Sequence, residues 1–147
     1  MGTKTKKRTL GKKRAKVPLP IVHFEIVGTN PRRLQKYYGQ LFGWKCDTVA
    51  PAAKEISQPG KYGFIDRIQT KDGTGIPGGI GGGHAFAPHT IFYIGVPNVE
   101  AALKQAEALG GKRQLGPIVN QDGNLAVGHF LDPEGNLVGV AGPPKVE

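Results

Sequence analysis

Five residues carry most of the chemistry this chain could offer. His23 and Glu25 stand two apart in one stretch, and His84, His89 and His129 follow later. Neutral imidazoles and a carboxylate suit Zn, Fe, Ni or Mn by ligand type. The spacing argues against a ready-made metal site. His23 and Glu25 would lie about 7 Å apart along an extended strand, and no HxH, HExxH or CxxC pattern is present. The plain alternative for His23 is a polar residue lining a wet cleft; for His84 and His89 it is a linker. Trp44, Tyr62, Phe64 and Tyr93 could wall a cleft, with His23, Glu25 and Arg67 as polar anchors. His23 and Glu25 could also form an acid–base pair. No Ser-His-Asp or Cys-His arrangement can be assembled from spacing. Cys46 is the single cysteine, so no intramolecular disulfide can form. It reads as a strand residue rather than a nucleophile.

Gly73-Thr-Gly-Ile-Pro-Gly78 matches GxGxxG literally. A dinucleotide fingerprint needs a helix directly after it, so that backbone amides meet the phosphates. Here Pro77 and more glycines follow. The stretch reads instead as a thin strand that lets a backbone or a flat ligand approach closely.

The elements that must position these residues are legible from periodicity. Ile21 to Val27 alternates as a strand. Val22, Phe24 and Ile26 take the face that can pack on a helix; His23 and Glu25 take the other. Asn30-Pro31 is a helix start, with Asn as cap and Pro in the first turn. Leu34, Tyr37, Tyr38, Leu41 and Phe42 recur at helical spacing, and Gly43 suits a left-handed cap. Leu41 and Phe42 are expected to anchor that helix. Strands are expected over 44–48, 62–70 and the glycine-rich 75–83, with a turn at 71–73.

The pattern then restarts. Thr90 to Val96 alternates, Asn98 can cap a helix over 99–109, and strands follow at 112–115, 124–131 and 137–141. An offset of 68 residues sets Val22, Phe24 and Ile26 against Thr90, Phe92 and Ile94, and His23 and Glu25 against Ile91 and Tyr93. A one-residue slip is expected nearer the helix end. Two copies of one unit would pair into a curved sheet with helices outside and a cleft on the uncovered face.

Charge divides the chain differently. Residues 1–16 hold eight Lys and Arg and no acid, whereas the remainder has 12 basic and 11 acidic residues. Residues 1–17 show no hydrophobic periodicity and read as a disordered basic arm, either a solvated tail or a weak nucleic-acid contact through phosphates. Residues 18–147 form the domain, with modules at about 18–85 and 86–145. No apolar run approaches the roughly 18 to 20 residues of a membrane span. No secretory signal is expected, and the cytoplasm is the simplest home.

His23-Phe-Glu-Ile, Asn30-Pro31 with Tyr37-Tyr38 and Leu41-Phe42-Gly43-Trp44, Gly78-Gly-Ile-Gly-Gly82, Val99-Glu-Ala-Ala with Ala108-Leu-Gly-Gly111, and Asp132-Pro-Glu-Gly-Asn136 follow in order. In this order they resemble the vicinal oxygen chelate superfamily, which includes glyoxalase I, bleomycin-resistance proteins and extradiol dioxygenases. The resemblance covers residues 20–142 and implies an α+β fold: two βαβββ modules forming a cup-shaped, curved mixed sheet with helices outside. Metal-dependent members hold a divalent ion through a histidine on each first strand and a carboxylate on each last strand. Here only His23 matches. Ile91 and Gly139 fill two of the other places, and the glycine-rich strand has no acid. The resemblance is therefore to the branch that has lost its metal site.

A glyoxalase-like protein that binds a small organic molecule in the cup, without an obligatory metal or other cofactor, is expected. His23, Glu25, Trp44, Arg67 and Tyr93 are its expected ligand-binding residues. The first alternative is a lyase, isomerase or dioxygenase, acting by acid–base chemistry or with a divalent metal on His23, His89 and His129. The second is an interaction protein using its basic arm. The resemblance also suggests a homodimer.

Overall fold

The computed structural model describes residues 16–67 and 73–145. The arm expected over 1–17 and the turn expected at 71–73 fall mostly outside these residues. Strand β1 (Ile21–Gly28) leads into helix α1 (Pro31–Phe42), then strands β2 (Cys46–Asp47), β3 (Gly63–Ile65) and β4 (Gly78–Gly82). Strand β5 (His89–Gly95) opens the second unit, followed by helix α2 (Val99–Ala108) and strands β6 (Lys112–Val119), β7 (Ala126–Leu131) and β8 (Leu137–Gly142). All eight strands join one mixed sheet in the order β2-β3-β4-β1-β5-β8-β7-β6. Within each unit the first and last strands run parallel, β1 with β4 and β5 with β8. The units meet along antiparallel β1 and β5. This is the paired βαβββ architecture expected from the repeat.

The junction confirms the offset of 68. Phe24 lies opposite Phe92 across β1 and β5. Those two residues are equivalents in the repeat, so the local two-fold passes between them. His23 then lies opposite Tyr93, and Glu25 opposite Ile91. One face of the two central strands thus collects His23, Glu25 and Tyr93, because side chains alternate along a strand.

Both helices start as their sequences ask. The Asn30 side chain accepts from the Arg33 N–H at 3.1 Å, and the Asn98 side chain from the Ala101 N–H at 2.9 Å. Gly43 closes α1 at φ 73°, the left-handed region where glycine meets no Cβ penalty. Their packing differs. Helix α2 buries Val99 and Leu103 in a core with Val96, Ala126 and Val140. Helix α1 buries only Pro31.

Leu41 and Phe42 therefore do not anchor α1. They are 54% and 58% exposed. The neighbouring strands β2 and β3 are only two and three residues long, so the sheet offers little beneath the last turn. The helix is held by its earlier part instead. Leu34 lies where a Cβ on Gly28 would fall, and Gln35 donates to the carbonyls of Lys61 and Ile80, both at 2.9 Å.

Candidate functional site

Strands β1 and β5 form the floor of a cup of about 330 Å³. Ala52, Ala53 and Ile56, from the segment between β2 and β3, wall one side; Leu125, Val127 and Ala141 of the second unit wall the other. Ala53, Ile56 and Tyr62 pack against Leu115, Ile118 and Val127, so the first unit's long connection reaches the second unit across the cup.

A chain of hydrogen bonds crosses this floor. The Tyr62 hydroxyl donates to Glu25 Oε2 at 2.7 Å, and the Tyr93 hydroxyl donates to Glu25 Oε1 at 2.5 Å. His23 Nε2 stands 2.8 Å from the Tyr62 oxygen, and His129 Nε2 stands 2.7 Å from the Tyr93 oxygen. Each hydroxyl has one proton, already given to Glu25. Both histidines must then donate from Nε2. The result is an ordered chain, His23–Tyr62–Glu25–Tyr93–His129, with one acceptor at its centre.

The repeat relates the chain only at its centre. Glu25 and Tyr93 are equivalents at offset 68. His129 lies opposite Gly139 as Phe64 lies opposite Gly79, so His129 answers to Phe64, and Tyr62 brings its hydroxyl in from just before β3. No polar side-chain atom buried in the described residues lacks a hydrogen-bond partner.

Burial sets the charges. It pushes the imidazoles of His23 and His129 down to about 4, with a smaller push on His129 from His89. Both are neutral near pH 7. Burial also raises the Glu25 carboxyl above its usual range, against the opposing pull of the Tyr93 and Tyr62 hydroxyls and of His89. Both tyrosines are pushed up, first by burial and then by the Glu25 carboxylate, so they act as donors and not as phenolates.

Two glycines make room for the tyrosines. A Cβ on Gly79 would run into the Tyr62 ring, and one on Gly139 into the Tyr93 ring. Gly79 lies opposite Glu25 on β4, and Gly139 lies opposite Tyr93 on β8. These are equivalent places on the last strand of each unit, where the resemblance asks for a carboxylate. The tyrosine rings occupy the volume a longer side chain would need.

Of the expected ligand-binding residues, His23, Glu25 and Tyr93 converge in the cup. Trp44 and Arg67 do not. Trp44 lies on the outer side, its ring 5.4 Å from Phe24 and 5.5 Å from Tyr38. It follows the helix, whereas the cup lies on the other side of the sheet. Arg67 is exposed beyond the end of β3 and lines no part of the cup. Tyr62 and His129 complete the chain but were not among the expected ligand-binding residues. A tyrosine just before a strand and a histidine within one carry no periodic mark of their function. The sequence marked Tyr62 only as a possible cleft wall and His129 only as an alternative metal ligand.

Compared with known proteins, the sequence matches no family model. It matches no curated protein either. Solved structures give a clear answer on architecture. A methylmalonyl-CoA epimerase from Streptomyces coelicolor, in complex with 2-nitronate-propionyl-CoA, superposes with a TM-score of 0.61 at 15% identity, over 88% of this chain and 99% of that one. Methylmalonyl-CoA epimerase from Mycobacterium tuberculosis gives 0.60 at 11% identity, over 89% and 93%. A hypothetical protein from Bacillus halodurans gives 0.60 at 11% identity, over 89% and 99%. The fold is shared with these neighbours and is the glyoxalase-like one that the resemblance implied.

The fold raises the question of a divalent metal, and the donors here do not fit one. Glu25 accepts from a tyrosine on each oxygen, and the imidazoles of His23 and His129 spend Nε2 as donors. His89 does not join His23 and His129: its Nδ1 is 2.8 Å from the Ala87 carbonyl, beside a separate groove. Among the described residues, no three His, Cys, Asp or Glu side chains gather as a metal would need. Likewise, no described helix is long and apolar enough to cross a membrane.

Proposed function

We propose that this chain binds a small, largely apolar organic molecule in the cup and needs no divalent metal to do so. The observation that carries this is the contrast between apolar walls and a polar floor whose groups already satisfy one another. Such a cavity rewards burial of apolar surface, at about 25 cal/mol per Å², and fixes orientation through few polar groups. His23, Glu25, Tyr62 and Tyr93 are the proposed contact residues. The test is a calorimetric and thermal-shift screen of small apolar compounds against the wild type and Ala52→Trp. Ala52 lines the cup from a connecting segment, so a tryptophan there should fill the space. Saturable binding lost in that variant, with an unchanged melt, is expected. Binding that survives the filled cup would place the ligand elsewhere. About one equivalent of metal per chain, lost in His23→Ala, would overturn the metal-free part.

A second reading is proton transfer at Glu25. Its raised carboxyl suits a general base. Solvent deuterium entering a bound carbon acid, and abolished by Glu25→Gln, would support it. Two contacts complete the proposal. The exposed Tyr37, Leu41 and Phe42 suit a homodimer interface, tested by light scattering of Phe42→Glu. The eight cations of residues 1–16 suit a weak nucleic-acid contact, tested by salt-dependent DNA binding with and without residues 1–17.

A further inference from the structure

Among the described residues, the cup has one acidic group and no Lys or Arg to balance it. Among the described residues lining it, Glu25 is the sole carboxylic acid, and lysine and arginine are absent. His23, with its imidazole pushed down to about 4, brings no charge near neutrality. Glu25 is 5% exposed. His23 faces it from its own strand, Tyr62 from the segment before β3, and Tyr93 from β5. His129 of β7 stands behind Tyr93, and His89 acts from the end of β5 only through space. Two hydroxyl donors soften the charge on Glu25 without cancelling it. A carboxylate has about four lone-pair sites, so two hydrogen bonds leave acceptor capacity.

A buried anion without a counter-ion is costly, and a ligand that supplies the opposite charge removes that cost. The rings beside Glu25 favour the same ligand. Tyr62 and Phe64 stand edge to face at 4.6 Å between centroids, and both line the cup with Tyr93. Aromatic faces attract cations. The aliphatic walls suit an apolar body.

We propose that the cup selects a lipophilic ammonium, its positive nitrogen set against Glu25 and the rings of Tyr62, Phe64 and Tyr93. This rests on the reading of the cup as a small-molecule site and names the class of molecule. A carboxylate or phosphate ester would bring a second anion to Glu25 and meet no Lys or Arg among the described lining residues.

Three probes of matched shape test it: benzyltrimethylammonium, its neutral isostere neopentylbenzene, and the anion phenylacetate. The ammonium should bind about tenfold more tightly than the neutral isostere, with the anion weakest. Its advantage should grow as pH rises through the Glu25 titration, because only the carboxylate attracts it. In Glu25→Gln the advantage should vanish while the neutral probe still binds. If that variant fails to fold, the wild-type preference and its pH dependence carry the test. Equal binding of ammonium and isostere, or tightest binding of the anion, overturns the ammonium assignment and leaves the cup as a site. Binding of none of the three at millimolar concentration overturns both.

Discussion

The two units share one βαβββ plan and use their outer faces in opposite ways. In the second, Leu103 is fully buried and Val99 is 3% exposed, so α2 closes over its sheet. In the first, Tyr37, Leu41 and Phe42 all exceed half exposure, and α1 rests on its N-terminal part. The inner faces do not differ in this way. The first unit supplies His23, Glu25 and Tyr62 to the floor; the second supplies Tyr93 and His129. Both units thus contribute to the site, whereas only the second seals its outer face. Hydrogen bonding explains why. Each member of the floor chain needs its neighbours at bonding distance, whereas a helix can shift on a sheet and lose area only gradually.

The largest test of this contrast is Leu103→Ala. A fully buried leucine should cost about 2 to 5 kcal/mol on truncation, read from denaturant unfolding. A neutral result would show that α2 is as loosely seated as α1.

The next test asks whether the floor behaves as one coupled chain. His23 and His129 have folded values of about 4 against 6.5 for the free imidazole. Lowered values mean their contribution is full above pH 6.5 and is lost as pH falls through about 4. Each shift corresponds to at most about 3.4 kcal/mol. The raised Glu25 carboxyl works the other way, contributing below its ordinary range and less as pH rises. It offsets part of the loss. Unfolding midpoints between pH 7 and 4 should fall, and His129→Gln, which keeps a donor, should flatten the slope. A stability that does not change over that window would mean the imidazoles are not held neutral.

Gly79→Ala comes third. Its Cβ would displace the Tyr62 ring, and such overpacking costs about 1 to 3 kcal/mol. Ligand binding in the cup should fall with it. Gly139→Ala should do the same to Tyr93 in the other unit. An effect from one glycine alone would break the equivalence of the halves.

The smallest expected effect is that of Leu41→Ala. More than half exposed, it should shift stability within about 0.5 kcal/mol in the monomer. A larger loss, dependent on protein concentration, would show that a second copy covers this face.

Periodicity and caps were enough to read the architecture. Asn30-Pro31, Gly43 and Asn98 mark helix ends because their preferences are local. The alternation of Ile21 to Val27, restarting at Thr90, set the repeat and the faces, and so placed His23, Glu25 and Tyr93 together. That Ile91 and Gly139 stand where the resemblance asks for metal ligands was also legible. Tertiary structure alone decided the rest. Trp44 turned outward because it follows a helix lying behind the sheet. Leu41 and Phe42 kept a helical stripe that the short β2 and β3 do not cover. Tyr62, from just before β3, and His129, from β7, reached Glu25 and Tyr93 across long sequence separations, through rotamers and packing space that no spacing rule encodes. Local order follows from each residue's backbone preferences. A hydrogen-bonded site depends on side-chain positions that exist only once the sheet has curved and the glycines have opened the space.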